Sequence, residues 1–260
     1  VTAGLQPVGH CIYCYADDVP LSREHIIPRG LAGQRVLPKA SCAKCAAITA
    51  KVEQFVLRQI FGTMRVKNGF KITENRSSID LLVYQRGRGV QIKQEKPSLY
   101  PYVILGMDLP MPGVLVNRPI GEEPVGDVVI VPDEIALAAL GSAGTPAVFD
   151  RRALDIDMLA RMLAKIALAH LYSKGIRLAT PYLPGIVTGN TSPEAYSHFI
   201  GGYFGEANVR LPTEPGVLHQ IWDWAIETDG GLILHLVRIR LFADVPNDLS
   251  PDYLVVAGEH

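Results

Sequence analysis

The sequence predicts an α+β protein in two parts, a small cross-linked N-terminal module and a larger mixed α+β body. Three observations predict it. All four cysteines lie in the first 45 residues as two C-x2-C pairs. One amphipathic helix, over 46–61, follows the second pair directly. From residue 81 onward, short strand-like runs and helical runs alternate with no βαβ rhythm. The expected organisation is a module over 1–66, a linker over 67–80 and an α+β domain over 81–260.

The chain has 260 residues, 48% of them hydrophobic and 20% charged, which is enough apolar matter for an ordinary buried core. No run reaches the roughly 18–20 uninterrupted apolar residues of a membrane span. The first ten residues, VTAGLQPVGH, show neither a basic start nor an apolar stretch of signal-peptide type. The expectation is a cytoplasmic protein that does not engage a membrane. Charge is uneven. Residues 1–76 hold 11 Lys and Arg against 5 Asp and Glu, a net +6 that leaves −7 for the other 184 residues. A basic module on an acidic body suits a polyanion such as DNA, and it also suits a plain solvated face.

Within the module, Cys11-x2-Cys14 and Cys42-x2-Cys45 are separated by 27 residues. Each pair can set two thiolates about 3.5–4 Å apart, and four complete a tetrahedral shell with Zn–S near ~2.3 Å. Two disulfides or buried free thiols are the other uses of four cysteines. A disulfide framework in a chain of this size is usually spread wider. A structural zinc also answers a physical need, because about 60 residues bury too little apolar area to fold alone. In the helix after Cys45, Ile48, Val52, Phe55, Val56 and Ile60 form one apolar stripe, and Gly62 is a natural stop.

Residues 68–80 (NGFKITENRSSID) are polar and read as the connection to the body. Five strands are expected between 81 and 131, at LLVY, GVQIK, YVILGM, GVLVN and DVVIV, with Pro and Gly between them. The clearest helix runs from Asp155 to Lys174. Met158, Leu159, Met162, Leu163, Ile166, His170 and Leu171 share a face, Asp155 or Asp157 caps the start, and Gly175 ends it. Ser192-Pro193-Glu194 opens a shorter helix. A long apolar strand over 232–243 and a last strand over 253–257 close the chain. His170 and His235 read as core histidines, and Asp223 and Glu227 lie beside Trp222 and Trp224 with no histidine nearby in sequence.

Between the two cysteine pairs lies Glu24-His25-Ile26-Ile27-Pro28, then Arg29-Gly30-Leu31-Ala32-Gly33. The arrangement C-x2-C, [DE]-H-I-I-P, G, C-x2-C and a helix resembles the zinc-bearing HNH endonuclease family over about residues 8–62. Beyond the module, the resemblance is at most to bacterial proteins that carry it. The resemblance implies a ββα-metal core around one divalent cation and metal-dependent hydrolysis of DNA phosphodiester bonds. His25 would be the general base, since an imidazole near pKa ~6.5 can take a proton from water at neutral pH. Glu24 would hold Mg²⁺ or Mn²⁺, a hard cation that suits a carboxylate. Arg29, Arg35 and Lys39 would meet the nucleic acid. Adjacent strand residues point to opposite faces, so Glu24 and His25 need a bend or bulge to serve one site.

Two departures from the family pattern stand out. Ala46 occupies the place where the family carries a second metal ligand, Asn or His, and alanine cannot coordinate. The family's middle Asn should fall near Leu37, where Gln34 is the nearest amide. Glu53, two turns after Ala46 and about 10 Å farther along the helix, has two readings. It is a shifted ligand of the catalytic cation, or it pairs with Lys51, Arg58 or Arg23. An inactive zinc-bound module that binds nucleic acid or protein is therefore the alternative function.

Overall fold

The computed structural model describes residues 5–70, 79–85, 89–95, 102–121, 127–132, 147–148, 155–203, 216–244 and 250–260. It is mixed α+β with small sheets and few helices. The middle of the expected linker, 71–78, lies outside the described residues.

The module begins with a knuckle turn at 11–14, in which the N–H of Tyr15 donates to the carbonyl of Cys11. An antiparallel hairpin follows, β1 (Leu21–His25) with β2 (Val36–Cys42). Its loop folds tightly around Pro28 and Gly33. A Cβ on Gly33 would lie 1.9 Å from the carbonyl oxygen of Ile27, so the close approach of the two loop arms requires glycine. Helix α1 (Ala43–Phe55) starts earlier than expected because Cys42 caps it: the N–H of Cys45 donates to the Cys42 thiol. Gly62 does not stop it. A π turn over Val56–Ile60 absorbs one residue, and the chain resumes as α2 (Gly62–Lys67).

The next strands are β3 (Ile79–Gln85), β4 (Gly89–Glu95), β5 (Tyr102–Asp108), β6 (Asp127–Pro132) and β7 (Ala147–Val148). They form a sheet of order β4-β3-β7 and a separate β5-β6 pair. GVLVN is a correction. Residues Gly113–Leu115 form a 3-10 turn, because the N–H groups of Val116 and Arg118 fold back onto the carbonyl of Gly113. Pro110 and Pro112 just before it remove ladder donors.

Helix α3 (Ile156–Ser173) is capped by Asp155, whose Oδ1 accepts from the N–H of Met158 at 3.1 Å. Gly175 at φ 76° turns the chain away. Then come β8 (Thr180–Pro181), α4 (Leu183–Thr188), a 3-10 turn at Pro193–Ala195, α5 (Tyr196–Phe199) and β9 (Ile200–Gly202). The last three strands, β10 (His219–Glu227), β11 (Ile233–Leu241) and β12 (Asp252–Glu259), form an antiparallel sheet of order β10-β11-β12-β8, with β9 also on β12.

Helix α3 is the axis of the molecule. Leu159, Leu163, Ile166 and Leu171 are buried, as are side chains on its other faces. It packs against α1 and β2 of the module and against α4, β11 and β12 of the body. One core cluster runs from Ile12, Leu37 and Val52 through α3 to Val237, Ile239 and Val255. The module therefore shares its interior with the body. Among the described residues, no helix is long and apolar enough to cross a membrane.

Candidate metal centre and the buried charges beside it

Two local structures bring the four cysteines together. The 11–14 knuckle supplies Cys11 and Cys14, and the junction of β2 and α1 supplies Cys42 and Cys45. The four sulfur atoms all lie within 4.8 Å of one another. Cys14 Sγ and Cys42 Sγ are 3.7 Å apart, close to the ~3.8 Å edge of a tetrahedron with metal–sulfur bonds of about 2.3 Å. None of the four is disulfide-bonded, and 3.7 Å far exceeds the ~2.05 Å of an S–S bond. Burial raises the thiol pKa of Cys11 and Cys45. Burial also acts upward on Cys42, but the N–H of Cys45 and the neighbouring thiols outweigh it and bring Cys42 down to about 7. The set is positioned to bind a metal ion, and four soft sulfurs in a closed shell fit a structural ion such as zinc. Cys11, Cys42 and Cys45 are buried and Cys14 is exposed; an ion held by all four thiolates would have a filled tetrahedral shell, with no open position for substrate.

Glu24 and His25 lie at the end of β1, where the ladder slips. Ser22 pairs with Ser41 and Glu24 with Leu37, so β2 carries two extra residues, and Lys39 among them adopts φ 47°. The irregularity turns Glu24 inward, where it is 6% exposed. Its Oε1 lies 3.0 Å from Nζ of Lys165, on α3. Glu53 of α1 reaches the same ammonium at 2.8 Å. The third acceptor is the main-chain carbonyl of His25. Lys165 is 1% exposed. Burial alone lowers its pKa, but the charges of Glu24 and Glu53 outweigh that and raise it. The buried Tyr13 completes the cluster: burial first, then the charges of Glu24 and Glu53, raises its pKa well above the usual phenol value.

The structure thus brings Glu24 and Glu53 together, on a cation supplied by the chain itself. His25 joins through its carbonyl oxygen, and its ring Nδ1 is buried without a hydrogen-bond partner. Ala46 offers only its carbonyl, which accepts from Thr49 Oγ1 at 3.2 Å. Arg29, Arg35 and Lys39 are exposed around the hairpin. Arg35 donates to Ser173 Oγ at 3.3 Å.

Sequence reasoning missed Lys165, although a signal existed. Residues 162–171 of α3 are almost entirely apolar apart from Lys165 and His170. A helix apolar on all sides is buried, and a lysine within it needs partners. A second missed group is centred on Asp223 of β10. His170 Nε2 donates to Asp223 Oδ1 at 2.7 Å, and His235 Nε2 lies 3.4 Å from Oδ2. His235 Nδ1 is 2.6 Å from His260 Nε2. Both histidines that read as core residues are buried, and the carboxylate that lacks a histidine in sequence has two in space.

These histidines dictate a pH response. Burial, the largest cause in each case, lowers the pKa of His170, His219 and His235. Below about pH 6.5 the unfolded chain takes up protons that the folded chain refuses, so stability falls as pH falls. Asp223 acts in the same direction at lower pH. Burial pushes its pKa up, but His170 and its other partners outweigh that and lower it. The slope is at most about 1.4 kcal/mol per pH unit for each such proton. Denaturant midpoints of metal-loaded protein should drop between pH 7.5 and 5.5, and less steeply in His235→Gln. Equal midpoints at the two values would contradict this assignment.

Comparison of the chain with protein-family models, with curated proteins and with solved structures finds no match.

Proposed function

We propose that this chain is a zinc-pinned, HNH-like module that binds DNA without cutting it by the one-cation route of the family it resembles. The observation that carries this reading is the ammonium of Lys165 within 3.0 Å of both Glu24 and Glu53. A Mg²⁺ or Mn²⁺ ion on the same carboxylates would sit about 4 Å from that ammonium. At an effective dielectric of about 20, a double and a single positive charge at this distance repel by roughly 8 kcal/mol. Ala46 supplies no ligand that would offset the repulsion. Binding rests on the exposed Arg29, Arg35 and Lys39, which flank the hairpin in a net-basic part of the chain.

A second reading is metal-dependent phosphodiester hydrolysis with His25 as base and Glu24 and Glu53 as ligands of Mg²⁺ or Mn²⁺. One observation favours it: His25 keeps a ring nitrogen with no partner inside the protein. Plasmid nicking in Mg²⁺ or Mn²⁺, run beside salt-dependent DNA binding, separates the two. We expect no nicking, and binding that weakens steeply between 50 and ~200 mM salt. Replacing Arg29 or Lys39 by Ala should weaken binding further and flatten the salt slope by about one unit each. Nicking that disappears in His25→Ala would establish the second reading. Absence of any DNA binding at low salt would defeat the first.

A further inference from the structure

A cavity of about 240 Å³ opens between the cysteine knuckle of the module and the C-terminal end of α3. His10 and Tyr15 line it from the module, and Tyr172 and Arg177 line it from the body. Leu168 and Leu171, both buried, add apolar lining. The volume falls below the roughly 300–1,000 Å³ of sites for whole small molecules and leaves room for one ring system.

The walls are aromatic. The His10 ring centroid lies 6.4 Å from that of Tyr15, with 29° between the planes, and 5.6 Å from that of Tyr172. His10 Nε2 is 3.2 Å from the Tyr172 hydroxyl, which ties the two walls together. Tyr15 is 48% exposed. Its φ of 61° is a conformation that glycine adopts freely and a bulky side chain rarely does. Stability alone would favour glycine there, so the exposed ring points to a use outside the fold.

The surroundings are cationic. The Arg177 guanidinium lies 4.0 Å over the Tyr172 ring. It donates to the carbonyl of Ile176 at 3.1 Å and has no ion-pair partner among the described residues. Both walls adjoin the hairpin cations. Gly9, beside His10, donates its N–H to the carbonyl of Lys39 at 3.1 Å. Ser173, beside Tyr172, accepts from Arg35 at 3.3 Å. Among the described residues no carboxylate lines the cavity: Asp17 and Asp18 follow Tyr15 closely in the chain but lie outside the lining.

We infer that this cavity takes one unstacked base of single-stranded DNA, with the base against Tyr15 and the phosphates of the strand on Arg177 and the hairpin cations. The inference deepens the DNA-binding reading above and rests on it. In a duplex each base face is covered by its neighbours, so a ring-sized aromatic cavity admits only a base that has left the stack. An apolar protein side chain would fill the same volume but would leave Arg177, Arg35 and Lys39 with nothing to neutralise.

Fluorescence anisotropy with the metal-loaded full chain tests it. The probes are an oligothymidylate of about 12 nucleotides, an abasic strand with the same number of phosphates, and a duplex of the same length. Oligothymidylate should bind at least about fivefold tighter than the abasic strand. Tyr15→Gly should bring it down to the abasic level and leave the melting temperature and the duplex affinity unchanged, whereas Tyr15→Phe, which keeps the ring, should match the parent. Arg177→Ala should lower the salt slope of single-strand binding by about 0.7, and Tyr15→Gly should not move that slope. Equal affinity for oligothymidylate and the abasic strand, or oligothymidylate affinity unchanged in Tyr15→Gly, would overturn the inference. Duplex binding that still depends on Lys39 would then leave the DNA-binding reading standing. Failure of all three probes to bind at low salt would defeat both.

Discussion

Removing the metal from the four thiolates should unfold the module and take much of the core with it. A structural zinc contributes on the order of 10 kcal/mol to a small zinc-dependent unit, comparable to the whole net stability of a typical domain. The dependence is local and visible. Cys42 is at once a candidate ligand, the end of β2 and the cap of α1. Cys11 and Cys45 are buried, so their loss of partners is not relieved by solvent. Because Ile12, Leu37 and Val52 share one core with α3, the damage should spread beyond the hairpin. We expect one zinc per chain in protein purified under reducing conditions. Chelation should lower the melting temperature by tens of degrees, since ~1 kcal/mol corresponds to about 2–4 °C for a chain of this size. Cys42→Ser should behave like the chelated protein. Metal-free protein that melts at the same temperature would exclude a structural ion.

The second large effect belongs to Lys165. Replacing it with Ala leaves two carboxylates facing each other in a site where Glu24 is 6% exposed. Breaking a buried charge cluster by deleting one partner typically costs about 3–5 kcal/mol. Lys165→Ala should therefore be among the most destabilising single changes in the chain, by chemical unfolding at pH 7. The cost comes from the orphaned carboxylates, so the combination Glu24→Gln, Glu53→Gln, Lys165→Met should recover most of it. A Lys165→Ala variant as stable as the parent would mean that the cluster is solvated in solution.

The parts of this fold that were legible in the sequence are those whose cause is local. The two C-x2-C pairs gather their sulfurs through one turn and one helix cap, so spacing alone points to a common ion. Helix α3 announces itself through its period, through Asp155 and through Gly175. What was not legible depends on long-range packing. Lys165 meets Glu24 across 141 positions of sequence, and no local pattern names that partner. Asp223 finds His170 only because α3 lies on the sheet, and it finds His235 only because β10 and β11 pair in one register. In the sequence alone Glu53 has two readings, a shifted metal ligand or a local ion-pair partner. Its ammonium partner is Lys165, outside the module, and not the nearby Lys51, Arg58 or Arg23. Apolar content also misleads where backbone chemistry overrules it, as in GVLVN, which follows two prolines and folds into a turn.

The proposed function requires the Lys165 ammonium to stand where a divalent ion would otherwise sit. A calorimetric titration of zinc-loaded protein with Mn²⁺, on the parent chain and on Lys165→Met, tests this directly. No binding to the parent is expected at about 1 mM, and a new Glu24-dependent site is expected in the variant, where the buried Glu24 and the half-buried Glu53 lack a cation. Binding of Mn²⁺ to the parent, lost in Glu24→Gln, would contradict it.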